Sequence, residues 1–170
     1  SRGAGKPIIL ELGGNGPTIV FDDADLVLAS KKIKTGCCLN AGQICTATER
    51  IIVNDKILDK FIPLLTEEMK NVKIGNSFES NTEIGPLNNK PGADKMDLHL
   101  DDALNNGAEI LCGGSYVKNM PSNLYYPPTV ITNLSNTSLL NVEETFGPVA
   151  PILSFTDDVS LFETISASKF

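Results

Sequence analysis

The sequence holds one histidine, His99, and its four cysteines, Cys37, Cys38, Cys45 and Cys112, form no Cys-x-x-Cys pair. That shortage of ligand pairs argues against a zinc site, and no metal is expected. Lysines are scattered and no basic run occurs on a chain of formal net charge −7, which argues against nucleic acid or an anionic membrane as a partner. No apolar run approaches the ~18 residues that suggest a membrane span. The opening Ser1-Arg2-Gly3-Ala4-Gly5-Lys6 is charged but has no apolar stretch behind it, so no secretory leader is expected. Two glycosylation triplets, Asn133-Leu134-Ser135 and Asn136-Thr137-Ser138, therefore carry no weight. The adjacent Cys37 and Cys38 are an awkward start for a disulfide framework. Reduced thiols and a cytoplasmic location are expected. Internal repeats and low-complexity tails are absent.

What is there is a chain of one domain's length, 170 residues, with an ordinary 41% hydrophobic content. Apolar runs at Pro7–Leu12, Pro17–Phe21, Ile51–Val53, Ala108–Cys112, Pro128–Ile131 and Val149–Phe155 read as strands. Between them lie helical patterns. One starts at the acidic Asp22-Asp23-Ala24-Asp25 and runs to about Thr35, with Gly36 as its cap. A second, capped by Asn54 or Asp55, puts Ile57, Leu58, Phe61, Ile62, Leu65 and Met69 on one face. A third spans Ala93 to Asn106, with Ala93, Met96, Leu100, Ala103 and Leu104 inward, His99 at the surface and Gly107 as the stop. A last one follows Asp157-Asp158. Residues 76–91 read as a long surface loop, 115–126 as a polar loop with a possible hairpin, and 133–141 as a bridging segment. Strands alternating with helices predict an α/β domain with a mostly parallel sheet in three layers.

Three stretches carry candidate chemistry. Leu39-Asn40-Ala41-Gly42-Gln43-Ile44-Cys45 displays a cysteine on an uncharged loop ahead of a strand. Such a cysteine is either a nucleophile or a small packed residue, and thiolate character decides which. Cys37, Cys38 and Cys112 read as packed. Glu11 is a carboxylate among Ile9, Leu10 and Leu12, costly to bury ionised and unpaired. It either faces solvent or serves as a general base. Gly13-Gly14 beside it lets backbone approach a ligand, although this is not a Gly-x-Gly-x-x-Gly fingerprint. Val142-Glu143-Glu144-Thr145-Phe146-Gly147-Pro148 sets two carboxylates before an aromatic on a Gly-Pro turn.

Taken together, Glu11-Leu12-Gly13-Gly14, Gly42-Gln43-Ile44-Cys45 and Glu144-Thr145-Phe146-Gly147-Pro148 resemble the signature motifs of the aldehyde dehydrogenase superfamily, in the family's order. The 34-residue step from Glu11 to Cys45 is similar as well, as are Pro17–Leu26 and Ile84-Gly85-Pro86-Leu87. The resemblance covers essentially the whole chain and implies the aldehyde dehydrogenase catalytic-domain fold. It also implies roles. Cys45 matches the nucleophile that attacks an aldehyde to give a thiohemiacetal, and hydride transfer to NAD or NADP leaves a thioester. The Cys45 N–H supplies half of an oxyanion hole. Glu11 matches the base that activates the hydrolytic water. Glu144 matches the residue that binds the nicotinamide ribose, Phe146 the aromatic beside the nicotinamide, and Leu12 and Gly13 the backbone near that end of the cofactor. A small-molecule aldehyde is the implied substrate, and a homo-oligomer is implied for the full-length enzyme.

Departures from the family pattern are equally specific. Residues 1–12 match only the final strand and linker of a cofactor domain, and 13–170 a catalytic domain that is incomplete at its C-terminus. The resemblance therefore implies little or no activity for this segment alone. Succinate-semialdehyde-type and related broad-specificity aldehyde dehydrogenases are the nearest resemblance. Some of the former carry a second cysteine two residues after the nucleophile, where this chain has Ala47. A CoA-acylating dehydrogenase and an inactive structural module are the competing readings. Glu11 argues against the first, since acyl transfer to CoA needs no hydrolytic base.

Overall fold

The computed structural model describes residues 5–170. Five strands form one sheet in the order β1-β2-β5-β4-β3: β1 (Gly16–Val20), β2 (Thr48–Asn54), β3 (Glu109–Cys112), β4 (Thr129–Thr132) and β5 (Val149–Phe155). The β1/β2, β2/β5 and β4/β5 pairs are parallel, and only β3 runs antiparallel, at the edge. The strands are joined by α1 (Leu26–Cys38), a short 3₁₀ turn (Leu39–Gly42), α2 (Asp55–Lys70), α3 (Lys90–Asn105), the single-turn α4 (Leu139–Val142) and α5 (Asp158–Ser166). Ile51 and Val53 of β2 enter the large core with Ile33, Phe61, Leu65, Met96 and Leu100, from α1, α2 and α3. Ile52, pointing the other way by the two-residue period of a strand, packs with Phe155 and with Leu161 of α5. Helices thus cover both faces of a mostly parallel sheet, the expected three layers. No helix among the described residues is long and apolar enough to cross a membrane.

Local chemistry sets the element ends. Asn54 Oδ1 accepts from Lys56 N at 3.1 Å and caps α2, whose Ile57, Phe61, Leu65 and Met69 are buried at four-residue spacing. Asp25 caps α1 through Leu28 N, and Asp157 forms a capping box with Ser160 on α5. Gly107, at φ +91°, follows α3 as the left-handed stop.

Several expectations are corrected. Gly36 does not cap α1; the helix continues to Cys38, and a Cβ at Gly36 would lie 2.5 Å from Thr48 Oγ1. Glycine is there so that α1 can press against β2. Residues 7–12 form no strand, and Ile9 and Leu12 are 88% and 73% exposed. An apolar strand needs a paired neighbour and covered faces, and no described residue supplies them. Residues 1–4 of the expected boundary segment lie outside the described residues. His99 is buried rather than exposed, while Leu104, expected inward, is 44% exposed. Cys112 is only half-buried. The 115–126 loop keeps one cross-link of the possible hairpin, Val117 N to Tyr125 O, but forms no strand.

Candidate active site

Three neighbouring parallel strands create the site. The loop Glu11–Asn15 leads into β1, the loop Gln43–Ala47 into β2, and the loop Glu143–Pro148 into β5. Because β1, β2 and β5 are adjacent and parallel, their amino ends lie side by side. Three motifs far apart in sequence therefore meet at one edge of the sheet. They line a cavity of about 470 Å³ formed by Glu11, Leu12, Gly13, Gln43, Ile44, Cys45, Glu144 and Phe146. All six residues singled out by sequence are in that set.

The cysteine loop is built from unusual backbone. Asn40, Ala41 and Gly42 hold φ of 53°, 56° and 71°, three left-handed residues in a row. For alanine this conformation costs ~1 kcal/mol or more. Compensating bonds surround it: Asn40 Nδ2 donates to Gln43 O at 3.0 Å, and Gln43 Nε2 donates to Asn40 O at 2.9 Å. Gln43 Oε1 accepts from Asn88 N at 2.8 Å, tying in the loop before α3. Gly42 is required twice over, since a Cβ would also fall 2.2 Å from Gly147 O. Ala47 N donates to Ile44 O at 2.9 Å, and this tight turn leaves Cys45 exposed as a free thiol. Cys37 and Cys38 are buried as expected. Burial lifts the Cys38 thiol to about 12 and holds Cys37 well above its ordinary value.

The other two loops are locked to one another. Gly14 N donates to Glu144 Oε1 at 2.8 Å. A Cβ on Gly13 would stand 2.7 Å from Glu144 Oε2, and one on Gly14 would stand 2.1 Å from Cys45 O. The glycines thus form a bare backbone wall against which a carboxylate and the Cys45 loop both rest. Phe146, at φ +60°, presents a partly exposed ring to the cavity. A carboxylate with a free acceptor edge, an aromatic ring and an open glycine wall fit a nicotinamide riboside. Glu144 would take the ribose hydroxyls, Phe146 would pack beside the ring, and Leu12-Gly13 would line its approach. Among the described residues no group of three or more His, Cys, Asp or Glu side chains is placed to hold a metal.

Three supporting residues escaped the sequence reading. Glu49 is buried, and its carboxylate accepts from Thr145 N at 2.6 Å and Phe146 N at 2.9 Å. Burial pushes its pKa up to about 7 despite the two amide donors. Arg50 is buried with its guanidinium on carbonyls, donating to Asn15 O at 3.0 Å, Thr164 O at 3.2 Å and Ile165 O at 3.1 Å. It fixes the end of the Glu11–Asn15 loop. His99 lies 3.0 Å from Thr145 Oγ1 through Nδ1. The strand period offered a signal: Glu49, Ile51 and Val53 share one face of β2, and Arg50 shares the other with Ile52.

A model of the aldehyde dehydrogenase family matches residues 1–170. This chain belongs to the aldehyde dehydrogenase family. Among curated relatives, it is 42% identical over 152 residues to a probable succinate-semialdehyde dehydrogenase [NADP(+)] of Sinorhizobium fredii, covering 89% of this chain and 30% of that protein. It is 36% identical over 165 residues to the chloroplastic betaine aldehyde dehydrogenase of Beta vulgaris, covering 97% of this chain and 33% of that one. Among solved structures, the succinate-semialdehyde dehydrogenase of Burkholderia pseudomallei superposes with a TM-score of 0.90 at 36% identity, over 95% of this chain and 33% of that one. The betaine aldehyde dehydrogenase of Staphylococcus aureus in complex with NAD+ gives 0.87 at 37% identity, over 93% of this chain and 32% of that one. The chain spans about a third of the length of these relatives.

Proposed function

We propose that this aldehyde dehydrogenase chain carries the catalytic portion of an enzyme that oxidises an aldehyde to a carboxylic acid with NAD(P)+. The observation that supports it most is the convergence of Glu11, Cys45 and Glu144 on one cavity from three adjacent strand starts. Cys45 is the nucleophile. Its sulfur bonds to the aldehyde carbon, the carbonyl electron pair moves onto oxygen, and the Cys45 N–H stabilises that oxygen. Bound NAD(P)+ supplies the hydride acceptor for the oxidation that leaves a thioester on Cys45. Leu12-Gly13, Glu144 and Phe146, which line the same cavity as Cys45, would hold and orient the nicotinamide riboside. Glu11 then removes a proton from water as its oxygen bonds to the acyl carbon, and the carbon–sulfur bond breaks to release the acid. Glu11 in the same cavity as Cys45 favours hydrolysis over acyl transfer to CoA.

The semialdehyde and betaine aldehyde relatives support a small polar aldehyde as substrate. We read residues 1–12 as the end of the cofactor-binding half and 13–170 as catalytic, in line with the exposed apolar run from Ile8 to Leu12. We read the whole enzyme as a homo-oligomer, and the four free cysteines of this chain fit a cytoplasmic location. The test is product analysis in the whole enzyme with NAD(P)+ and aldehyde, with and without CoA. Cys45→Ala is expected to make no acid. Glu11→Gln is expected to accumulate an acyl-enzyme visible by mass spectrometry. Normal turnover by Cys45→Ala sinks the reading.

A further inference from the structure

We propose that Glu49 is a positioning residue that sets the cofactor-facing backbone of Glu144-Thr145-Phe146 relative to Cys45. The inference rests on the reading of this cavity as a nicotinamide and aldehyde site.

Glu49 sits four residues after Cys45, at the start of β2, with its side chain in the large-core face. Its two oxygens are divided between two consecutive amides, Oε2 receiving Thr145 N and Oε1 receiving Phe146 N. Those amides immediately follow Glu144 and lead into Phe146, the two side chains this loop sends into the cavity. The amide of Phe146 belongs to a residue with positive φ, a conformation that persists only when its surroundings enforce it. A single buried carboxylate thus fixes the direction of the peptide planes that aim both cofactor contacts. It does so from the strand that carries the nucleophile. On its other side the same loop is held by His99, through Thr145 Oγ1.

Two amide donors in one fork ask for two acceptor oxygens. A carboxylate supplies them. A carboxylic acid or a carboxamide supplies one, and turns a donor toward the second N–H. The groups facing Glu49 come from each surrounding element. Glu144 in the β5 loop raises its proton affinity, Lys95 of α3 lowers it, and Cys37 of α1 also lies within its field. Desolvation is the largest influence and brings its midpoint to about 7. The fork therefore closes fully above neutrality and loosens below it.

Steady-state kinetics of the whole enzyme test this, with NAD+ varied at saturating aldehyde. Glu49→Gln is expected to raise KM for NAD+ roughly ten-fold or more, the scale of one lost charge-assisted hydrogen bond. Alkylation of Cys45 by iodoacetamide without cofactor is expected to stay within about two-fold of wild type. Wild-type KM for NAD+ is expected to rise as pH falls below about 7, and the Gln variant is expected to show no such rise. Glu49→Asp keeps the charge but falls short of both amides, and an intermediate KM supports the fork. Should the Gln variant not fold, the wild-type pH profile and the Asp variant decide. An unchanged KM, a flat wild-type profile, or Cys45 alkylation slowing in step with the KM change overturns the proposal. A wild-type enzyme without NAD(P)+-dependent turnover overturns the parent reading instead, and this one with it.

Discussion

The Gly14 amide and the Glu144 carboxylate meet at 2.8 Å across 130 residues of chain. That bond joins the loop before β1 to the loop before β5, and it places Gly13 and Gly14 in different predicaments. A Cβ on Gly13 would meet the Glu144 carboxylate, the end of a side chain that can swing. A Cβ on Gly14 would meet the Cys45 carbonyl, which cannot. Gly14→Ala is therefore expected to destabilise the fold by ~1–3 kcal/mol and to disturb Cys45 alkylation. Gly13→Ala is expected to cost about 1 kcal/mol, the scale of the Gly14–Glu144 hydrogen bond it displaces and less than Gly14→Ala, while weakening nicotinamide nucleotide binding. Urea unfolding and nucleotide titration of the two variants check this, and equal losses of stability would count against it.

Arg50 gives a second expectation. Its buried guanidinium ends on the carbonyls of Asn15, Thr164 and Ile165, linking the β1 entry loop to α5. Removing it leaves three carbonyls short of a donor in a site closed to water. Arg50→Met is expected to cost about 3 kcal/mol, since hydrogen bonds to charged groups contribute ~1.5–3 kcal/mol each and the methionine recovers some packing. Denaturant midpoints measure it, and a loss under ~0.5 kcal/mol would refute the bridging role.

Much of this arrangement was legible in the chain. The face of α2 could be read from Ile57, Phe61, Leu65 and Met69, because a four-residue repeat behind an Asn cap has one structural solution. The shared cavity could be read from three motifs, because adjacent parallel strands force their preceding loops together. Burial of His99 was misjudged, although Met96, His99, Leu100 and Ala103 form one helical stripe. A polar ring on such a stripe is buried only if a partner awaits it, and Thr145 lies 46 residues away. The run Pro7–Leu12 failed for the opposite reason. Its pattern is that of a strand, but strand formation depends on neighbours that local sequence does not encode. Glu49 and Arg50 were hidden because a charged pair at a strand start usually marks solvent.

His99 and Glu49 pull stability in opposite directions with pH. Burial lowers the His99 pKa, so an unfolded chain takes up a proton that the folded chain refuses, and this contribution is full above ~6.5 and is lost as pH falls below it. Burial raises Glu49 from 4.5 to about 7, so the folded chain holds a proton that the unfolded chain has released. Its contribution is full below about 4.5 and is lost as pH rises to about 7. The difference in unfolding free energy between wild type and Glu49→Gln is therefore expected to shift against wild type over that window, by up to ~1.4 kcal/mol per pH unit. His99→Leu is expected to shift the other way, gaining on wild type below ~6.5. Urea unfolding at several pH values measures both, and parallel curves for wild type and Glu49→Gln would sink the assignment of Glu49.

The four thiols should separate cleanly by reactivity. Cys37 and Cys38 are buried, with thiols raised by desolvation, and Cys38 contacts Met69 Sδ at 3.7 Å. Cys112 is half-buried and is also raised by desolvation, with its sulfur toward Pro128 O. Only Cys45 is exposed, at the tip of a turn braced by left-handed backbone. Because the thiolate is the species that reacts, burial and raised proton affinity both slow Cys37, Cys38 and Cys112. Brief iodoacetamide treatment near neutral pH, read by peptide mass spectrometry, is expected to modify Cys45 first and Cys37 and Cys38 last. Exposure alone would give Cys45 the rate of free glutathione. As the proposed nucleophile, Cys45 is expected to exceed that rate, and the excess is expected to vanish in Gly14→Ala, where the Cys45 carbonyl must move. Labelling of Cys112 ahead of Cys45 would contradict the site as described.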